Sequence, residues 1–381
     1  MRRLVALDLP GDEGFVTQLR RTLDDGDAVL PVDQRLPAPT KARLLAALRP
    51  AAVVTTGGET ALRGSRPVEE GDAYVVATSG TTGEPRGVVL THEAVAASAR
   101  AVSRRLAVDP ASDRWLGCLP LAHVGGLAVV TRALATGTPL ELLPRFDPAG
   151  VEAAAKRGAT LVSLVPTALA RLGEAAALFR TIVLGGGPMP PARPPNTVAT
   201  YGMTETGSGV VYDGWPLEGV GIRIGADCEI ELRGPMLFRT YRFEEDPKDA
   251  AGWFRTGDAG QLSQEGELEV FGRRDDRIRT GGESVWPVAV EAVLRTHPGV
   301  AEAVVLGEPD PEWGERVVAV VETNDATPPT LDELRELVRG VLGPVAAPKQ
   351  LRLVAALPRT AIGKVRRDAV RGTSPAGGRA R

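Results

Sequence analysis

From Tyr74 onward the chain alternates short apolar runs with stretches of helical periodicity. Tyr74-Val75-Val76-Ala77-Thr78 reads as a strand, a Gly/Thr loop follows, and Val88-Val89-Leu90 reads as a second strand leading into a helix over 94–106 with Thr91 as its N-cap. The mainly apolar runs 161–165 and 181–184 predict buried strands, and 151–157 predicts another helix. Such alternation predicts α/β layers. From about Gly221 the texture changes to short strands separated by turns, at 221–224, 229–232 and 267–271, which predicts a β-rich subdomain.

Beyond Arg273 a second unit begins, with a helix over 288–295, strands over 303–306 and 317–322, a helix over 331–342 and a strand over 351–354. Its second helix is well marked. Thr330 and Glu333 spell a capping box, Leu331, Leu334, Val338 and Val341 fall on one face, and Gly343 followed by Pro344 ends it. The expectation is a large multilayer N-terminal domain over 1–274, α/β layers with a β-rich subdomain, followed by a small, mobile α+β domain over 275–371. The last residues, 372–381, are Gly, Ala, Ser, Pro and Arg with one Thr, and predict a disordered tail.

A length of 381 residues accommodates two or three domains. The formal net charge of -3 argues against nucleic acid as a main partner. No run of 18 apolar residues occurs, and the apolar patch before Asp8 is too short for a secretory signal, so the expectation is a cytoplasmic protein without integral membrane contact. The two cysteines, Cys118 and Cys228, form no CxxC pair, suggest neither a disulfide framework nor a zinc site, and are expected to be buried. Basic residues are 40 Arg and five Lys, at 41, 156, 248, 349 and 364, so a lysine within a motif is a marked choice.

Five segments carry candidate chemistry. Thr78-Ser79-Gly80-Thr81-Thr82-Gly83-Glu84-Pro85-Arg86-Gly87 follows a strand with hydroxyls, glycines and a cation, the means of wrapping phosphates, although composition alone also allows a flexible surface turn. It is not a Walker A loop, because Pro85 stands where the Gly-Lys pair would begin, and no GxGxxG occurs. Thr200-Tyr201-Gly202-Met203-Thr204-Glu205-Thr206 offers an aromatic plane, hydroxyls and a carboxylate. Trp253-Phe254-Arg255-Thr256-Gly257-Asp258 sets a carboxylate after a glycine turn, suited to two ribose hydroxyls and equally ordinary as a surface turn. The charged stretch 272–283, at the expected junction, also reads as a solvated linker. Pro358-Arg359-Thr360-Ala361-Ile362-Gly363-Lys364 places a rare lysine after a glycine, where an exposed surface lysine is the plain alternative.

In order and spacing these five segments resemble the adenylate-forming superfamily of acyl-CoA synthetases, carrier-loading adenylation domains and luciferases, over about residues 74–367. Leu119-Pro120-Leu121-Ala122-His123-Val124-Gly125-Gly126, Ser163-Leu164-Val165-Pro166-Thr167, Gly185-Gly186-Gly187-Pro188 and Val211-Tyr212-Asp213-Gly214-Trp215-Pro216-Leu217 look like segments of the o-succinylbenzoate CoA ligases of menaquinone biosynthesis, of the short actinobacterial type. The resemblance implies the adenylate-forming fold, the use of ATP, Mg²⁺ and coenzyme A, and a ligase that adenylates a carboxylic acid and passes the acyl group to CoA. A ligase for another aromatic or aliphatic acid, a carrier-loading enzyme and a non-catalytic nucleotide-binding relative stay open, as does a homodimer.

The resemblance also implies roles residue by residue. Lys364 neutralises charge between the acyl carboxylate and the α-phosphate, and Arg273 touches ribose or phosphates. Thr78, Ser79, Thr81, Thr82, Thr204 and Arg86 contact phosphates. Tyr201 stacks on adenine, Asp258 takes the ribose hydroxyls and Glu205 the Mg²⁺. Gly80, Gly83, Gly185, Gly186, Gly187, Gly202 and Met203 complete the nucleotide set. Asp275 is the hinge, and Gly281 and Gly282 leave room for the pantetheine arm. His123 gates the acyl site, or is a packed, hydrogen-bonded histidine; Thr167 and Ser208 are further acyl-pocket walls. A second carboxylate on the substrate would need a cation or several donors near Gly185–Gly187 and Ser208, completed by an arginine or a water. Two features depart from the family pattern: Arg86 stands where a lysine is usual, and the region ahead of the phosphate loop is short.

Overall fold

The computed structural model describes residues 2–79, 84–190, 192–324, 327–359 and 365–371. Gly80, Thr81, Thr82 and Gly83, the side chain of Ser79, Lys364 and the tail 372–381 lie outside the described residues. Two compact units emerge. The first comprises Met1–Met189, Arg193–Ile222 and Leu232–Arg255, the second Pro190–Ala192, Arg223–Glu231 and Thr256–Arg381. Asp275 lies inside the second unit, in a 3-10 turn over Arg274–Asp276.

The first unit is built on two seven-stranded sheets. One runs in the order Thr240–Tyr241, Pro85–Thr91, Asp72–Ser79, Ala28–Pro31, Leu4–Leu7, Ala52–Thr55, Gly58–Ala61. Its middle strands are parallel, which demands crossover helices. Glu13–Asp24 supplies one, with Asp12 accepting the backbone N–H groups of Gly14 and Phe15 at its start and Phe15 and Leu19 buried on its inner face. Ala38–Leu48 supplies the next. Leu4–Leu7 and Ala28–Pro31 are buried at every position, as parallel strands covered on both faces must be.

The second sheet has the order Trp215–Pro216, Ser208–Tyr212, Thr197–Met203, Thr181–Leu184, Leu161–Leu164, Trp115–Gly117, Leu140–Leu142. Helix His92–Arg105 packs on strands of both sheets and against helix Val124–Thr136. As expected, Thr91 caps the former, its Oγ1 accepting the Ala94 N–H at 3.1 Å.

In the second unit a five-stranded sheet centres on the hairpin of Val300–Asp310 with Gly314–Thr323, to which Gln350–Val354 adds in parallel. Pro287–Leu294 and Leu331–Leu342 pack together on it. The capping box forms as written in the sequence: Thr330 Oγ1 accepts the Glu333 N–H, and the Glu333 carboxylate accepts the Thr330 N–H at 2.7 Å.

Two expectations fail. Leu334 and Val338 are fully buried, but Val341 is 65% exposed. The apolar stripe ends one turn early, and Val345, beyond the Gly343 stop, packs against that core instead. Cys118 is buried as expected, whereas Cys228 is exposed, at φ +60 after Asp227 at φ +55, because this left-handed turn carries the side chain to the surface. Among the described residues, no helix is long and apolar enough to cross a membrane.

Candidate active site

In the first unit, the Thr200–Thr206 segment is shaped by a close approach of two strands. A Cβ at Gly202 would stand 2.2 Å from the Ser208 carbonyl oxygen, so only glycine fits, and the ladder between Thr197–Met203 and Ser208–Tyr212 shifts register beside it. Tyr201 is half-buried at this bulge and Met203 ends the strand. Thr204-Glu205-Thr206 then form a 3-10 turn, locked by Thr206 Oγ1, which accepts the Met203 N–H and lies 2.6 Å from the Ser208 carbonyl. Gly185, Gly186 and Gly187 follow the carboxyl end of Thr181–Leu184, against Thr200, Val165 and Pro166.

The Glu205 carboxylate is held from a distant strand. Tyr241 donates its hydroxyl to Glu205 Oε1 at 2.8 Å, and the Phe238 N–H donates to the Glu205 backbone carbonyl at 2.8 Å. Burial, then the Glu205 charge, push the Tyr241 phenol well above its ordinary value, so it stays a donor. Arg86 stacks on the Tyr241 ring, its guanidinium carbon 3.6 Å from the centroid, and pairs through Nε and Nη2 with both oxygens of Glu244. Thr78 stands opposite Arg86 in the antiparallel ladder.

The expected acyl region contains a residue that the motifs did not mark. Arg132, on helix Val124–Thr136, is 3% exposed; its Nη2 donates to Ser208 Oγ at 2.8 Å, and Ser208 Oγ lies 3.2 Å from Ser98 Oγ. Its Nε has no partner, and no carboxylate pairs with it among the described residues. The sequence signal was an arginine in the apolar run Leu127, Ala128, Val129, Val130, Ala133, all buried. His123, the N-cap of the same helix, has a half-exposed side chain with Nε2 3.5 Å from Asp33 Oδ2. Burial alone would raise the Asp33 carboxyl; hydrogen bonds from Arg35 and His123 more than reverse this and hold it well below the carboxylate range. Thr167 is exposed, in the first turn of Pro166–Leu172.

In the second unit, Asp258 and Arg273 are direct partners across Phe254–Leu262 and Leu268–Arg273, with Arg273 Nη1 3.2 Å from Asp258 Oδ1. The turn before Asp258 is pinned by Thr256 Oγ1, which donates to the Ile230 carbonyl, and by Glu229, which accepts the Gly257 N–H. Glu229 also takes Arg274, so the turn holding Asp275 is tied to the same buried carboxylate. Gly281 and Gly282, at φ +59 and +82, form the two-residue turn of the hairpin Ile278–Thr280 and Glu283–Val285, a conformation that requires positive φ at both positions. A side chain on Gly281 would meet the Trp313 ring at 2.9 Å.

Glu205 and the turn that carries it suit the Mg²⁺ of a magnesium nucleotide. Among the described residues no cluster of three or more His, Cys, Asp or Glu stands ready for a bare metal ion. Mg²⁺ that arrives on phosphates needs only one or two carboxylates. Glu205 meets that need, since one of its oxygens is taken by Tyr241 and the other has no partner among the described residues.

The chain matches the AMP-binding enzyme family over residues 17–241 and the AMP-binding enzyme C-terminal domain over residues 289–364. It is 41% identical over 360 residues to the probable 2-succinylbenzoate–CoA ligase of Mycobacterium tuberculosis, covering 87% of this chain and 93% of that protein. It is 36% identical over 326 residues to the 2-succinylbenzoate–CoA ligase of Listeria monocytogenes, covering 78% of this chain and 69% of that protein. Among solved structures, the o-succinylbenzoate CoA synthetase of Bacillus subtilis in complex with the acyl-adenylate intermediate OSB-AMP matches with a TM-score of 0.85 at 28% identity, over 99% of this chain and 90% of that one. With more than half of its residues inside the first family domain, and such identity over most of the length of its relatives, this chain belongs to the AMP-binding enzyme family and has the adenylate-forming fold.

Proposed function

We propose that this AMP-binding enzyme activates 2-succinylbenzoate with ATP and transfers the acyl group to coenzyme A, a step of menaquinone biosynthesis. It is an AMP-forming acid–thiol ligase. The observation that carries the substrate is Arg132, a buried cation whose only described side-chain hydrogen-bond partner is the neutral Ser208 hydroxyl. A buried charge calls for a counter-charge. The second carboxylate of 2-succinylbenzoate, on its ring, supplies one, and the aliphatic carboxylate is left for activation.

A carboxylate is a poor acyl donor because its leaving group would be oxide. Its oxygen attacks the α-phosphorus of ATP, the bond to the bridging oxygen breaks, and pyrophosphate leaves. The CoA thiolate then adds to the acyl carbon, and AMP departs with the electron pair of the carbon–oxygen bond. Preorganised charge at the developing phosphoryl anion is the main need of the first step. Lys364 is the residue assigned to it, Arg86 and the hydroxyls of Thr78, Ser79, Thr81, Thr82 and Thr204 hold the phosphates, and Glu205 would hold a Mg²⁺ ion that, when bound, would neutralise their charge. Tyr201 stacks on adenine, Asp258 takes the ribose hydroxyls, and Arg273 orients the Asp258 carboxylate. The tied turn at Asp275 is the pivot that exchanges Lys364 for the Gly281–Gly282 turn, whose bare backbone admits a pantetheine arm. Reliance on ATP and CoA favours the cytoplasm.

Pyrophosphate release across a panel of acids, followed by thioester formation with CoA and with a holo-carrier protein, tests this reading. The highest kcat/KM is expected for 2-succinylbenzoate with CoA as acceptor. Equal or better use of 4-phenyl-4-oxobutanoate, acetate or long-chain fatty acids would remove the substrate assignment.

A further inference from the structure

The metal contact of the adenylation machinery as proposed rests on one carboxylate, Glu205, carried by a three-residue 3-10 turn. Nothing in such a turn fixes how its side chain points. The constraint comes from Thr240–Tyr241, a two-residue strand that pairs antiparallel with the strand carrying Arg86, with Tyr241 opposite Val88. From there the Tyr241 hydroxyl reaches Glu205 Oε1 at 2.8 Å. The ring itself is fixed on two sides, by Phe238 edge-on at 4.8 Å between centroids and by the Arg86 guanidinium at 3.6 Å. Arg86 is in turn forked onto Glu244.

We infer that Tyr241 is a positioning residue for adenylation, its hydroxyl fixing the Glu205 carboxylate so that Oε1 is occupied and Oε2 is presented to the nucleotide's Mg²⁺. The inference rests on the reading of Glu205 as the metal carboxylate. Restricting the carboxylate beforehand removes the cost of ordering it when the metal nucleotide binds. Groups that orient a metal-binding carboxylate typically govern metal affinity by 10- to 100-fold. The hydroxyl is the only part of Tyr241 that touches Glu205 by a hydrogen bond, so ring packing and metal positioning separate cleanly in Tyr241→Phe.

The test is equilibrium binding of ATP by calorimetry, in Mg²⁺ and in EDTA, for wild type, Tyr241→Phe, Glu244→Gln and Glu205→Gln, with melting curves for each. Tyr241→Phe is expected to weaken binding in Mg²⁺ by about tenfold or more, to leave binding in EDTA unchanged, and to melt like wild type. The Mg²⁺ concentration that half-activates pyrophosphate release should rise in parallel. Glu244→Gln, which loosens Arg86 and spares the hydroxyl, is expected to change both binding conditions alike. Wild-type affinity of Tyr241→Phe in Mg²⁺ beside a weakened Glu205→Gln would overturn the inference and leave the Glu205 assignment standing. Equal losses with and without Mg²⁺ in Tyr241→Phe would also overturn it, as they assign the tyrosine to Arg86 or to the fold. A Glu205→Gln protein that binds MgATP like wild type would overturn the metal assignment and the inference together.

Discussion

Replacing Arg132 by methionine probes the most demanding feature of the acyl region. Arg132 is 3% exposed and its guanidinium donates to Ser208 at 2.8 Å, with Nε unpartnered. Keeping a cation there without a counter-charge costs several kcal/mol after relaxation, on the order of what a buried carboxylate partner returns. Truncating one side of a buried, hydrogen-bonded charge pair costs about 2–5 kcal/mol. The kcat/KM for 2-succinylbenzoate should therefore fall by roughly 30- to 5 × 10³-fold. For 4-phenyl-4-oxobutanoate, which has no ring carboxylate, the same change should alter kcat/KM by no more than about threefold, because no anion is left unpaired. Stability should not fall: methionine removes a buried cation that has no counter-charge, and even whole buried ion pairs replaced by apolar residues are often neutral or stabilising by about 1–4 kcal/mol. Pyrophosphate release with both acids, beside melting of the unliganded protein, reads all three quantities. Equal losses on both acids, or a clear drop in melting temperature, would make Arg132 a strut and refute the counter-charge argument.

Three further outcomes are expected. Asp113 is nearly buried and accepts from Arg180, Thr160 and the Asp109 N–H; burial would raise its carboxyl, but these contacts lower it. A folded value below the unfolded one adds stability above the ordinary carboxyl range that is lost as pH falls through the folded value, so Asp113→Asn should cost about 1–3 kcal/mol at neutral pH, and its deficit in denaturant titrations should shrink below about pH 4; a constant deficit would contradict the linkage. Burial pushes the Cys118 thiol up to about 12 while Cys228 is exposed, so a disulfide reagent should titrate one thiol in the native protein and two in denaturant. Lys364→Ala should slow adenylation by about 10²-fold to 10³-fold or more and leave thioester formation from supplied acyl-adenylate nearly intact, whereas equal losses in the two half-reactions would deny that lysine a selective role.

The elements that announced themselves in sequence are those whose local signals agree with their packing. Leu331–Leu342 carries its cap, its stripe and its stop, and forms with the expected limits. Thr181–Leu184 is mainly apolar and is buried at every position. Ahead of Tyr74 the strands Leu4–Leu7, Ala28–Pro31 and Ala52–Thr55 are as short as Thr181–Leu184, and with no motif segment beside them it is their mutual pairing that defines them. In the candidate site, motif order pointed to Glu205, Asp258 and Arg273. What it could not contain is partnership over distance: Glu244 sits 158 positions from Arg86, and Arg132 meets Ser208 through tertiary packing alone. Residue type does not decide burial at Cys228, which a left-handed turn carries to the surface, nor at Val341, where the helix is ending.

Thr240–Tyr241 closes the outer edge of the first sheet about 150 residues after the strand it pairs with. On a ribosome adding roughly 5–20 residues per second, Val88, Val89 and Leu90 therefore wait about 8–30 s with that edge unpaired. An apolar open edge is a template for pairing with other chains. A nascent chain halted before residue 240 exposes that template indefinitely, and its fate depends on chaperones rather than on its own stability. Because the closing strand also bears the tyrosine that holds Glu205, sealing the edge and completing the carboxylate's environment are one event in the life of the chain.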